Sequence, residues 1–370
     1  MQLSVLREAI SKSQPRTLII HIGHHKTGST SVQHALALEQ VKINGIAPFY
    51  GAALTHNHLV RHGKEIVRET NKASVGHQYF LELANGMRQN FANTDNRICV
   101  ISAEDFEHFP PAHLRKLVNT YFATMFDVVK VICYVRPHLQ RTVSSFTETT
   151  KIGLCTDDME TYFQQCTESG IFLYAPDLAK WRKVFGDNFI VRPSIRSEMQ
   201  GGSLINDLFM STLDAPQIAV AEVDNQNESL TLEDLLRVKF LHKQLRKRTR
   251  GFHHAYGWTL MRLTEKLPKS RNATKIQMHR SLAERAHEFY LEDARELDAT
   301  YFGGRPLMQT ALQEGLDKAC EKAQPSTAQQ VFNKSEIRSL RLAALMINEL
   351  LINEEQRWPD FLHQRRLDAM

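Results

Sequence analysis

The chain has 370 residues, 42% of them hydrophobic and 24% charged, which excludes a mainly disordered chain and gives room for one large domain or two ordinary ones. Lys and Arg number 46 against 41 Asp and Glu, a net charge of +5 that suits anionic ligands without calling for nucleic acid. No run of about 18 apolar residues occurs, so no membrane span is expected. Residues 1–16 hold no apolar run either, so the expectation is a cytoplasmic protein without a secretory leader.

The first element is Thr17-Leu-Ile-Ile-His-Ile22, apolar but for Thr17 and His21, as expected of a strand covered on both faces. A glycine-bracketed turn follows, and residues 31–38 continue as a helix. Residues 59–70 and 79–91 have helical apolar spacing. Residues 97–102 (Arg-Ile-Cys-Val-Ile-Ser) read as a second buried strand, 111–121 as a helix with proline in its first turn, and 127–135 as a third strand. A helix over 139–150, another over 178–185 and a short strand over 188–191 follow. Strands alternating with helices predict a parallel α/β sheet with ligands at the carboxyl ends of its strands. After about residue 203 the strand signal stops, and helices are expected over 204–212, 230–250, 281–302 and, past Pro306, in a tail that includes 337–351. The paired glycines Gly201-Gly202 and Gly303-Gly304 read as helix boundaries and residues 225–228 as a polar turn.

The turn after the first strand is the most informative segment: Gly23-His24-His25-Lys26-Thr27-Gly28-Ser29-Thr30-Ser31. A helix N-terminus carries unpaired N–H groups and a partial positive charge, so a phosphate belongs there. In a Walker A loop the lysine follows the second glycine; here Lys26 precedes Gly28, and no acid in the motif is placed to hold magnesium. This arrangement resembles the 5′-phosphosulfate loop of sulfotransferases that use 3′-phosphoadenosine-5′-phosphosulfate. A second resemblance lies in Arg136, ending the third strand, with Ser144 eight residues on and about two turns into the next helix. In that family such a pair holds the donor's 3′-phosphate, a task suited to the planar, permanently charged guanidinium. Weaker marks are the segments from Phe185 to Pro193, from Asn227 to Leu230 and from Asp298 to Phe302, so the resemblance spans roughly residues 15–305 and is to bacterial proteins that sulfate carbohydrates.

The resemblance implies a P-loop-like α/β domain over 1–305, mainly helical from 203, with 306–370 a helical extension. It implies binding of the donor through Gly23, His25, Lys26, Thr27, Gly28, Ser29, Thr30, Ser31, Arg136 and Ser144, with Lys26 assisting the leaving group and no metal required. The acceptor is expected to be a carbohydrate or glycolipid hydroxyl or amine, which must lose a proton to a general base. Glu104, at the end of the second strand, stands where cytosolic small-molecule sulfotransferases carry histidine, and carbohydrate sulfotransferases often use glutamate. The same carboxylate also fits a cap on the following turn or a partner for Arg136. His58, one turn from His62 and near His56, is a further candidate for base or acceptor contact, or an ordinary helix-face residue; no Cys or Glu completes a zinc pattern around the three. His24 and His25 fit acceptor contacts or a solvated turn.

The run Arg237, Lys239, Lys243, Arg246, Lys247 and Arg250 reads first as a solvated helix face, with an anionic-acceptor path as the other reading; no aromatic residues alternate with the charges, and no nucleic-acid partner is expected. The five cysteines (Cys99, Cys133, Cys155, Cys166 and Cys320) have no C-x-x-C spacing and read as small buried apolar residues. The helical tail admits a homodimer. A P-loop kinase and a non-catalytic nucleotide-binding scaffold are the rival functions.

Overall fold

The computed structural model describes residues 15–24, 27–52, 54–68, 75–221, 230–245, 247–267, 273–351 and 357–367. His25 and Lys26, like the turn expected at 225–228, lie outside these residues. The chain forms two compact units: Met1–Pro137 with Leu173–Gln226 and Arg295–Met308, and His138–Phe172 with Asn227–Ala294 and Gln309–Met370.

The first unit is built on a four-stranded parallel sheet in the order β3-β1-β4-β5, so it is an α/β fold. The strands are β1 (Thr17–Ile22), β3 (Ile98–Ala103), β4 (Val128–Val135) and β5 (Phe189–Pro193). Strand β1 is central: Ile20 faces Ile101 of β3 on one side and Val131 of β4 on the other. All six of its residues are buried, which is why its sequence is a continuous apolar run and not an alternating one. One face of the sheet, with Ile19, Val100, Ile132 and Tyr134, packs against α1 (Ser29–Ala37) through Val32 and Leu36 and against α8 (Leu204–Thr212) through Leu208 and Phe209. Near the start of α8 the core accepts a polar cluster. Tyr134 donates to Asp207 Oδ2 at 2.7 Å, and Arg192 grips the same carboxylate through Nη2 at 2.6 Å and Nε at 3.1 Å. The pairing joins β4, β5 and α8 and keeps the buried Asp207 charge satisfied.

Two short strands depart from expectation. Strand β2 (Val41–Ile43) pairs antiparallel with β6 (Ile218–Val220), although no strand was expected beyond residue 203. Three residues are too few for a periodic signal, and both strands are held by packing on the sheet core rather than by local propensity. On this unit's other helices, α2 (Asn57–Arg68) and α3 (Val75–Asn93) lie between β2 and β3, α4 (Pro111–Tyr121) precedes β4, and α7 (Ala175–Phe185) precedes β5.

The second unit is helical where described. It contains α5 (His138–Lys151), α6 (Met159–Ser169), α9 (Leu232–Gln244), α10 (Arg250–Thr264), α13 (Lys334–Leu350) and α14 (Trp358–Leu367), while α11 (Arg280–Tyr301) and α12 (Leu307–Asp317) each have residues in both units. The single helix expected over 230–250 is two. Helix α9 stops at Gln244, Leu245 turns into a core with Leu241, Phe252, Tyr256, Ala344 and Leu351, and the Thr249 hydroxyl caps α10 at the Phe252 N–H, 3.2 Å away. The basic run is therefore not one solvated face. Lys239 is buried, its ammonium donating to the Ser326 carbonyl at 2.9 Å and to the Asp157 carbonyl, and burial pulls its pKa down.

Candidate functional site

The parallel order brings the carboxyl ends of β3, β1 and β4 side by side in the first unit. From β1 the chain passes through the buried Gly23 and His24, and after residues 25–26 through Thr27 and Gly28 into α1. Thr27 is buried and donates from Oγ1 to the His24 carbonyl at 2.7 Å, which closes the turn. Gly28 stands at the N-cap with φ 93°, a left-handed conformation natural to glycine, and a Cβ there would lie 3.0 Å from Leu204 Cδ2. Among the described residues no side chain caps α1, and in its first turn the Ser31 N–H donates to the Gly28 carbonyl at 3.1 Å. Ser29 is buried, and its Oγ has no hydrogen-bond partner among the described residues. Thr30 is exposed and Ser31 half-buried.

Gly23 matters for space rather than for conformation. A Cβ on it would sit 2.9 Å from Ser29 Oγ and 3.6 Å from Glu104 Cγ. The bare backbone thus lets the turn after β1, the start of α1 and Glu104 meet. Glu104 opens a short 3-10 turn, Glu104–His108, directly after β3. Below it lies a buried polar layer. His21 Nδ1 and the Ser102 hydroxyl share a hydrogen bond of 2.9 Å, and Gln33 of α1 donates to the same hydroxyl at 3.1 Å. Burial lowers the His21 pKa to about 4, only partly opposed by the Glu104 carboxylate, so His21 is neutral at physiological pH.

His24 is not in a solvated turn. It is buried, donates from Nδ1 to Glu107 Oε1 at 3.0 Å, and sets its ring edge-on to Tyr174 with centroids 5.1 Å apart. Tyr174 in turn donates to the carbonyl of Arg136 at 2.9 Å. This chain of contacts ties the ends of β1, β3 and β4 together. Sequence reading missed Glu107 and Tyr174, since Tyr174 stands 38 residues from Arg136 with no motif around it.

Arg136 follows the end of β4 in the first unit and is half-buried; Ser144 is half-buried on α5 in the second. His56 and His58 stack with ring centroids 6.2 Å apart, but the three histidines have different further partners. His56 is buried, accepts the Ser102 N–H on Nδ1 at 3.2 Å, and is lowered to about 3 by burial, so it serves as a neutral acceptor supporting β3. His58 is half-buried on α2, its pKa lowered by burial, with its ring 5.5 Å from Tyr79. His62 stacks on the same Tyr79 at 4.8 Å and pairs with Glu65 at 3.0 Å. The start of α2 is pinned to the turn carrying Glu104 by the Asp105 N–H, which donates to Asn57 Oδ1 at 3.2 Å. Among the described residues no three His, Cys, Asp or Glu side chains are grouped to hold a metal ion. The five cysteines are unpaired thiols, all buried but Cys320. No described helix is long and apolar enough to cross a membrane.

No family model and no curated protein matches the chain. Among solved structures it is similar to a crystal structure of a sulfotransferase from Alicyclobacillus acidocaldarius, at 12% identity and a TM-score of 0.37, over 78% of this chain and 95% of that one.

Proposed function

We propose that the protein is a sulfotransferase that moves the sulfuryl group of 3′-phosphoadenosine-5′-phosphosulfate to a hydroxyl or amine of a carbohydrate or glycolipid. One observation carries the reading: an uncapped helix N-terminus with a left-handed Gly28 and a partnerless buried Ser29 hydroxyl, set beside Glu104 at the end of the neighbouring strand. The amides and hydroxyls of this loop, through Gly23, His25, Thr27, Gly28, Ser29, Thr30 and Ser31, are proposed to hold the 5′-phosphosulfate. Glu104 is proposed to take the acceptor proton as the acceptor oxygen or nitrogen bonds to sulfur and the bond from sulfur to the bridging oxygen breaks. Lys26 is proposed to neutralise the charge left on that oxygen. His58 is the alternative base. The sulfuryl group carries less charge than a phosphoryl group, so the proposal needs no metal. A P-loop kinase fits less well because Lys26 precedes the second glycine. Exposed Leu342, Leu345, Met346 and Leu350 on α13 favour pairing of two copies through the C-terminal helices.

Arg136 and Ser144 are proposed to bind the 3′-phosphate, which gives a sharp test. Arg136→Ala should weaken binding of adenosine 3′,5′-bisphosphate by about tenfold or more and leave adenosine 5′-phosphosulfate, which lacks the 3′-phosphate, unaffected. Equal losses for both nucleotides would remove Arg136 from that role.

A further inference from the structure

We infer that the second unit carries its own binding site for an oligosaccharide bearing sulfate or carboxylate groups. The site is a cleft of about 1340 Å³ where α9 gives way to α10. Lys243, Lys247, Arg248 and Arg250 line it, and among the described residues neither Asp nor Glu does. Lys243, Lys247 and Arg250 are exposed, and none has a carboxylate partner among the described residues. Three such like charges, with no carboxylate partner among the described residues, repel one another, and a bound polyanion relieves that repulsion.

The break between the two helices is what gathers the cations. Buried Leu245 anchors the connection, and Arg248 is held to Asn348 by hydrogen bonds of 2.9 and 3.1 Å to the side-chain oxygen and 3.1 Å to the carbonyl. Beneath them His242 donates from Nε2 to the Lys151 carbonyl at 2.8 Å, so its Nδ1 accepts the His253 Nδ1–H, also at 2.8 Å. The basic side chains therefore stand on a frame already ordered, which lowers the entropic cost of binding.

The lining also indicates the kind of polyanion. Among the described residues it contains no Phe, Tyr or Trp on which nucleobases would stack. Thr156, Gln244 and Asn348 add hydroxyl and amide groups suited to sugar hydroxyls. The surface is concave and carries, among the described residues, one large aliphatic side chain, Leu154, unlike the broad apolar face that enters a lipid interface. The volume exceeds the range of about 300–1,000 Å³ typical of single small ligands, so an extended chain is expected.

The test uses the full-length protein and fluorescence anisotropy with a labelled, fully sulfated hexasaccharide, a labelled neutral hexasaccharide and an oligothymidylate of matching charge. The sulfated probe should bind, lose affinity with rising salt, and bind about tenfold or more weakly to the K243Q/K247Q/R250Q variant. The K42Q/K183Q/K322Q variant removes the same charge elsewhere and should retain the affinity of the parent. Equal losses in the two variants, no binding of the sulfated probe, or equal binding of the neutral one would overturn the inference. Tighter binding of the oligothymidylate with the same dependence on the three residues would assign the cleft to nucleic acid instead. The assay contains no sulfuryl donor, and Lys26→Ala should bind the hexasaccharide as the parent does, so this result and the fate of the sulfotransferase reading are separately readable.

Discussion

Lys26→Ala is expected to lower the rate of sulfuryl transfer by about 10²- to 10³-fold while leaving the fold and most of the donor affinity intact. Sulfuryl transfer resembles phosphoryl transfer, with a loose in-line transition state in which charge gathers on the leaving oxygen. A cation at that oxygen acts more strongly on the transition state than on the bound donor, so the loss falls on kcat more than on KM. Lys26→Arg should recover part of the rate, because the charge returns in a different shape. The measurement is release of adenosine 3′,5′-bisphosphate in the presence of a carbohydrate acceptor, with a thermal melt to show that the variant folds. A rate unchanged by Lys26→Ala would remove the lysine from the chemistry.

Gly257→Ala is expected to produce the largest loss of stability of any single methyl group added to the second unit. A Cβ on Gly257 would lie 1.9 Å from the Lys151 carbonyl oxygen and 3.1 Å from Ile152 Cα, so the clash is with backbone and not with a side chain that turns aside. The same carbonyl accepts His242 Nε2–H, and the Lys151 ammonium sits 3.4 Å from the centre of the Trp258 ring. Separating α10 from α5 to admit the methyl would break these contacts together. A loss of about 3 kcal/mol or more is expected, read as a lower denaturant midpoint. Gly251, in the first turn of the same helix, is the internal control: its Cβ would come no closer than 4.0 Å to Pro359. Gly251→Ala should be neutral or stabilising by up to about 1 kcal/mol. Similar midpoints for the two variants would contradict the close approach at Gly257.

The legible parts of the fold are those written in local chemistry. Strand β1 was read to the residue because an unbroken apolar run ends at Gly23, and α4 because Pro111 opens it. Helix α8 was equally clear, since it follows Gly201-Gly202-Ser203, and the Ser203 Oγ accepts the Asn206 N–H as its cap. Elements that depend on distant partners were missed. Strands β2 and β6 exist through each other and the core between them. The break at residues 245–249 was hidden because no glycine or proline marks it, and only packing of Leu245 and the Thr249 cap reveals the turn. Helix α6, capped by Asp158, had no counterpart in the sequence reading.

The candidate site divides in the same way. The positions of Glu104 and Arg136 at the ends of the two strands that flank β1 followed from topology, because parallel strands place their carboxyl ends on one edge. The contacts that fix those ends did not. His24 with Glu107, Tyr174 with Arg136, and His21 with Ser102 are side-chain pairings between segments far apart in sequence, and no spacing rule encodes them. His56 shows the converse. It was grouped with His58 and His62 by proximity in sequence, and its ring does stack on that of His58, yet its Nδ1 serves the backbone of β3 while His58 and His62 pack on Tyr79.

The central claim is that the loop between β1 and α1 takes a sulfuryl donor rather than a nucleoside triphosphate. Titration calorimetry of the full-length protein with adenosine 3′,5′-bisphosphate, and in parallel with ATP and magnesium, tests it most directly. The expected result is saturable binding of the bisphosphate without metal and little or no heat from ATP with magnesium. Binding of ATP with magnesium in the absence of any bisphosphate binding would contradict it and turn the loop back to phosphoryl chemistry.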